Sequence, residues 1–381
     1  MQDVLIIGGG MAGASAAYWL APHKRVSILE AEPHCGMHTT GRSAALFIEG
    51  YGNAAIRAFT RASRAFFMAP PAGFCEAPLL SPRGCLVIGS PENQEALKRQ
   101  FAEVGSEPAI PMEWLDPDQV RAAIPVLRND YSTSGFLDRA AMDMDVDAMH
   151  QGFLRGARRS GAAVMTDASV LEIERKNGVW AVTTTAGVFS APVLVNAGGA
   201  WADQIATLAG VAPLGLMPKR RTALLVEPPP GVAIGAWPAV TDVDEQFYFK
   251  PSSGMLLLSP ADETPSEPCD AQPDEMDIAI AVDRVQRAAD IPVRHISRSW
   301  AGLRSFFSDK TPAVGWDANT EGFFWLAGQG GYGIQTAPAL GQTAAALLTG
   351  RDVPAEFYDT GADPALLSPS RFSRLKRVAQ H

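Results

Sequence analysis

The chain has 381 residues, 47% of them hydrophobic, which suits about two domains better than one small core. With 32 Lys and Arg against 41 Asp and Glu, its formal charge of −9 disfavours nucleic acid or an acidic membrane surface as a nonspecific partner. Its four cysteines, Cys35, Cys75, Cys85 and Cys269, form no C-x-x-C pair and have no histidines at zinc spacing, so no metal and no disulfide framework is expected, and a reducing cytoplasm fits.

The chain opens on "DVLIIGGGMAGASAAYWL". It lacks the basic lead-in of a secretion signal and is interrupted by glycines, and no run in the chain reaches the ~20 uninterrupted apolar residues of a membrane span. Residues 4–7 read as a buried strand, Gly8, Gly10 and Gly13 fit G-x-G-x-x-G, and residues 12–20 read as a small-residue helix able to pack close to the strand. "RVSILE" then supplies a second strand ending at Glu30. This order predicts a dinucleotide site, with Gly8, Gly10, Met11, Ala12 and Gly13 at the pyrophosphate and Glu30 and Ala31 at the ribose. An acid there favours FAD or NAD over NADP.

The following segment favours FAD. "GRSAA", comprising Gly41, Arg42, Ser43, Ala44 and Ala45, has the small side chains of a loop that lies against a flat ring, and strands and helices do not continue to alternate after it. Residues 53–69 read as an amphipathic helix, followed by a Pro/Gly-rich turn and a strand near 84–89. A helix over 146–160 precedes a three-strand meander that feeds a buried strand in "VLVNAGG", and Val170 lies on the strand expected beside the adenine. Another helix starts at Trp201, and the Pro-rich residues 227–240 read as a loop between strands.

Taken in order, "IIGGGMAGASAAYWL", "GRSAALF", "EGYGN", "VLVNAGGAWAD", "PKRRTAL", "FYFKP", "SWAGLRSF" and "GFFWLAGQGGYGIQT" span nearly the whole chain. In these segments the chain resembles the D-amino-acid oxidase superfamily of FAD-dependent oxidoreductases, and within it the bacterial FAD-dependent D-arginine dehydrogenase branch. The resemblance implies that two glycine loops serve opposite ends of one FAD. The second, Gly328, Gly330, Gly331, Tyr332, Gly333, Ile334, Gln335 and Thr336, would approach the flavin ring, with a helix N-terminus stabilising negative charge on the reduced ring.

It also implies a substrate and a clamp. Arg304 and Arg221 align with arginines that hold an amino-acid carboxylate, Tyr51 and Tyr248 with hydroxyl partners, and Gln335 and Gly331 are expected as backbone contacts to flavin or substrate. The chain departs from the D-arginine branch on the side-chain wall: Cys85 follows "SPRG" where the branch has a carboxylate, Leu46 replaces a histidine, and Ile48 a smaller polar residue. Neutral or apolar D-amino acids are therefore expected as substrates, with Glu49 and Glu76 as nearby acids that would restore a cationic preference. No cysteine follows Cys269, so FAD is expected to be noncovalent.

The expected fold is α/β, α+β overall: a Rossmann-like FAD domain from residues 1–53, 146–217 and 310–381, and a substrate domain with a mainly antiparallel sheet from 54–145 and 218–309. His34 and His38 are expected to serve structure or to line the loop, and the basic end of the chain to be solvated. Oxygen and a quinone stay equally open as electron acceptor. Oxidation of a secondary amino acid or a 2-hydroxy acid, and flavin binding without turnover, also stay open.

Overall fold

A computed structural model describes residues 1–105 and 112–372. Its nucleotide-binding layer is a six-stranded sheet ordered Ala313–Trp316, Phe323–Ala327, Val193–Asn196, Val4–Ile7, Val26–Leu29, Ala163–Met165. All neighbours run parallel except the first two. Strands buried on both faces need continuous apolar runs, and "VLII" is buried at every position.

The helix Met11–Leu20 covers this sheet with Ala14, Ala16 and Ala17, none exposed, and packs against the long helix Gly333–Thr349. A Cβ on Gly341 would stand 2.8 Å from Ser15, so that glycine sets how closely the two helices cross. Helix Ala54–Met68 starts where Asn53 Oδ1 accepts from the Ile56 amide at 3.0 Å, and it buries Ile56, Phe59 and Phe67 at helical spacing. The meander Val170–Lys176, Val179–Thr184, Gly187–Ala191 forms a separate antiparallel sheet, as the sequence suggests.

The second large sheet has nine strands and is antiparallel apart from the Cys85–Gly89/Ala239–Asp242 pair. Its longest ladder joins Met217–Val226 to Ile296–Phe306 and sets the register of the candidate site. A small sheet of Leu46–Phe47, Met142–Met144 and Leu80–Pro82 stands beside it.

One expectation is corrected at the C-terminal end. Arg371 donates to Asp309 Oδ2 at 2.6 Å and Phe372 is buried, so the start of the basic tail is docked; residues 373–381 lie outside the described residues. No helix among the described residues is long and apolar enough to cross a membrane.

Candidate active site

One cavity of about 510 Å³ runs between the two sheets. At its nucleotide end the parallel strands deliver Gly8 and Glu30 side by side. Gly8 has φ +103°, and a Cβ there would stand 2.4 Å from the Ala197 carbonyl; one on Gly13 would stand 1.9 Å from the Gly8 carbonyl. Glu30 accepts from the Gly9 amide at 2.7 Å and the Glu32 amide at 3.0 Å, so it holds the loop as well as lining the cavity. His150 Nε2 donates to the Gly9 carbonyl at 2.8 Å and fixes the loop from behind.

The helix Met11–Leu20 has no side chain of its own as cap and no acid in its first turn; Thr40 Oγ1, from a distant loop, accepts from the Met11 amide at 3.0 Å. The helix Gly333–Thr349 likewise begins without a side-chain cap or an acid, beside Gly330 and Gly331 on the cavity wall. Two such N-termini present N–H groups and positive dipole ends to one cavity.

The loop between these ends is tied across the cavity. Arg42 donates to the carbonyls of Ala271 at 2.8 Å and Ala301 at 2.9 Å and ion-pairs with Asp270, Trp300 Nε1 donates to the Arg42 carbonyl at 2.9 Å, and Thr39 Oγ1 donates to the Leu303 carbonyl at 2.7 Å. Arg42 lines the cavity, but its guanidinium belongs to this strap. Ser43, Ala44, Ala31 and Val170 line the wall with it.

At the substrate end, Arg221 pairs with Gly302 and Lys219 with Arg304 across the ladder, placing Lys219, Arg221 and Arg304 on one face. Arg220 faces the other way and donates to Asp277 at 2.8 Å. Arg221 is buried, reaches Glu263 only at 3.5 Å, and its Nε has no partner. Arg304 is half-buried on the cavity wall and makes no hydrogen bond or ion pair with any described residue. A buried guanidinium without a partner is costly, so an anion belongs in front of it. Burial works against the charge on Arg304, yet the phenols of Tyr51, Tyr248 and Tyr332 and the Glu245 carboxylate hold its pKa up. Burial likewise raises the Tyr51 pKa, with Arg304 opposing, so Tyr51 stays a neutral phenol.

Not every expected residue reaches the cavity. Gln335 is buried, its amide donating to Thr60 Oγ1 at 2.9 Å and accepting from the Ile48 amide at 3.2 Å, and Thr336 Oγ1 donates to the Tyr332 carbonyl at 2.8 Å; both are held by packing around the helix start. Tyr51 and Tyr332 meet with tilted rings, centroids 5.0 Å apart, in a cluster with Ile56 and Phe306, behind the wall. Cys85 is buried at the centre of the nine-stranded sheet, packed with Ala141, Ala239, Leu46 and Ile48, and none of these lines the cavity. Gly13 and Gly328 stand behind their loops, Ala45 is off the wall, and Gly41 lines a second cavity on the far side of its loop.

The acids held in reserve are also accounted for. Glu76 is exposed on its turn, and Glu49 is bound by Arg64 at 2.5 Å. Instead, Asp138 is the buried acid paired with Cys85 in register, its pKa raised by burial. Sequence reading misses it because only strand register sets it beside Cys85, and misses Trp201 and Gln329 on the cavity wall because only loop closure brings them there; His38 lines the wall too. Among the described residues no group of His, Cys, Asp and Glu forms a metal site.

A glycine-rich strand-to-helix turn, two helix starts free of first-turn acids and a terminal acid fit a dinucleotide with an anionic pyrophosphate. Residues 3–347 match the family model described as FAD dependent oxidoreductase, DAO. The chain belongs to this family.

Its relatives in the DAO family include the glycine oxidase of Bacillus licheniformis, 25% identical over 370 residues, which cover 94% of this chain and 95% of that protein. The sarcosine oxidase subunit beta of Rhizobium meliloti is 27% identical over 217 residues, covering 55% of this chain and 52% of that protein. Among solved structures, the L-proline dehydrogenase from P. horikoshii superposes with a TM-score of 0.82 at 20% identity, covering 98% of both chains, a likeness of fold. The family match does not single out the D-arginine dehydrogenase branch.

Proposed function

We propose that this DAO-family flavoprotein oxidises a D-amino acid to the imino acid, which water then converts to the 2-oxo acid and ammonia, and that it prefers neutral or apolar side chains. The observation that carries the reading is Arg304: a partnerless guanidinium on the cavity wall, beside Arg221 and Tyr248, is a ready fork for a carboxylate. Noncovalent FAD, when bound, supplies a two-electron acceptor for the hydride of the α-carbon. The protein's part is positioning: Arg304 and Arg221 grip the carboxylate, the Tyr248 hydroxyl orients it, and the tied Arg42 strap keeps the cavity closed to water.

The side-chain preference rests on the apolar residues Leu46, Ile48 and Cys85 standing where the D-arginine branch has polar or acidic groups; they pack together beside the cavity wall, next to the buried Asp138. The division into a flavin part (1–53, 146–217 and 310–381) and a substrate part (54–145 and 218–309) belongs to the same reading. It is supported by the six-stranded sheet drawing every strand from the first set. We place the enzyme in the cytoplasm, with oxygen or a quinone as the final acceptor.

A panel of substrates tests this. Anaerobic bleaching of the purified holoenzyme should be fastest with D-leucine, D-methionine or D-phenylalanine, slower with D-arginine, and absent with L-leucine and D-lactate. Faster bleaching by sarcosine or glycine would move the reading to a secondary or unsubstituted amino acid, in line with the sarcosine and glycine oxidases among its relatives. Arg304→Met should retain flavin while kcat/KM falls about 10- to 100-fold, the loss of a charge-assisted hydrogen bond.

A further inference from the structure

Three of the cations at the substrate end share one face of the long ladder, and a fourth joins them. Lys219 Nζ lies 5.6 Å from the centre of the Phe306 ring and Lys310 Nζ lies 5.9 Å from it, so one aromatic face gathers both ammonium groups. Phe306 follows Arg304 by two residues on its strand and points the same way. Exposure falls from Lys310, which is exposed, through Lys219 and Arg304, both half-buried, to the Arg221 side chain at 8%.

Few acids offset this row. Glu263 accepts from Lys219 at 2.7 Å and touches Arg221 at 3.5 Å. Burial acts to raise the Glu263 pKa, but Lys219, Lys310 and Arg221 together outweigh it and hold the carboxyl below its ordinary value. Glu245, exposed on its turn, is the other acid felt by Arg304. Asp262, buried and bonded to Thr222, is a third acid, felt by Arg221, so four cations face three carboxylates in a chain whose formal charge is −9. A local excess of positive charge that runs from solvent into a low-dielectric cavity focuses its field along that line.

We propose that Lys310 and Lys219 form an entry track that captures carboxylates at the surface and passes them to Arg304 and Arg221. The inference rests on the reading of those two arginines as the carboxylate clamp. The track also favours a substrate whose amine is neutral, because an ammonium group would meet the same cations; that anionic form is the one able to give up a hydride.

The test is the rate of uptake of benzoate, a carboxylate that does not react, by the FAD-loaded enzyme, followed by stopped-flow as a change in flavin absorbance. The native association rate constant should fall about 10-fold or more as salt rises from about 0.01 to 0.5 M, with dissociation little changed. Lys310→Gln should associate about 3-fold more slowly at low salt, Lys310→Arg should behave as native, and adding Lys219→Gln should remove most of the salt dependence. A native rate indifferent to salt, or a Lys310→Gln rate equal to native at low salt, overturns the track alone. If the native holoenzyme takes up no benzoate, the clamp reading falls and the track with it. If Arg304→Met loses benzoate that the native enzyme binds, the clamp stands and the lysine variants decide.

Discussion

The two glycine loops of the cavity use glycine against different kinds of neighbour. In the first, a side chain on Gly8 or Gly13 would run into backbone carbonyls, at 2.4 and 1.9 Å. In the second, side chains on Gly328, Gly330 and Gly331 would meet Phe307 at 2.3 Å, Phe306 at 2.2 Å and the Arg304 guanidinium at 2.9 Å. Backbone cannot yield, whereas the end of a long side chain can swing away. Errors in the first loop should therefore cost the fold and the cofactor together; in the second, Gly328 and Gly330, at φ +80° and +56° against buried phenylalanine rings, are as unyielding, and only Gly331, facing the end of Arg304, should first cost aim.

The largest expected effect is Gly13→Val. With the Gly8 carbonyl already where its Cβ must go, the variant should lose at least about 3 kcal/mol of stability and emerge colourless, read by melting temperature and the visible absorbance of the purified protein. A yellow, stable variant would remove the distinction between the loops. Gly331→Ala should stay yellow and melt within a few degrees of native, while displacement of Arg304 raises KM about 10-fold. Loss of flavin from this variant would show that Gly331 is as unyielding as the rest of its loop.

The smallest effect belongs to the prop behind the first loop. Burial pulls the His150 imidazole below its ordinary value of 6.5, with the hydrogen bond to Gly9 opposing, so the native state keeps it neutral. As pH falls below 6.5 the unfolded chain takes up a proton that the native chain does not, and stability declines until the native group titrates too. His150→Gln should flatten the change in urea midpoint between about pH 7.5 and 5.5. An unchanged slope would mean that other groups set the acid limit.

How legible each end was follows from sequence distance. Strand, glycine turn, helix, second strand and Glu30 are contiguous in the chain, so their spacing carries the geometry, and the observed elements Val4–Ile7, Met11–Leu20 and Val26–Leu29 fall where the spacing puts them. At the substrate end, the choice between Arg220 and Arg221 depends on which face of a strand looks inward. Only the pairing of Arg221 with Gly302 and of Arg220 with Leu303 settles that. The motif puts the Gln335 backbone at the start of its helix, but its side chain turns to Thr60, 275 residues away, which no local pattern announces. Thr40 serving the Met11 amide, and Asp138 standing beside Cys85, were hidden for the same reason.

The strap from Thr39 to Leu303, joining residues 264 positions apart, also has a timetable. The cavity wall begins at Ile7 and is complete only at Ile334, so a chain leaving the ribosome at about 5–20 residues per second carries its first glycine loop for roughly a quarter of a minute to a minute before the second exists. During that interval the helix of the nucleotide motif lacks its main packing partner, Gly333–Thr349, and its strand waits for Val193–Asn196. The cavity is thus a late product of the chain: its wall closes only when the last of its lining segments, Gln329–Ile334, has been made.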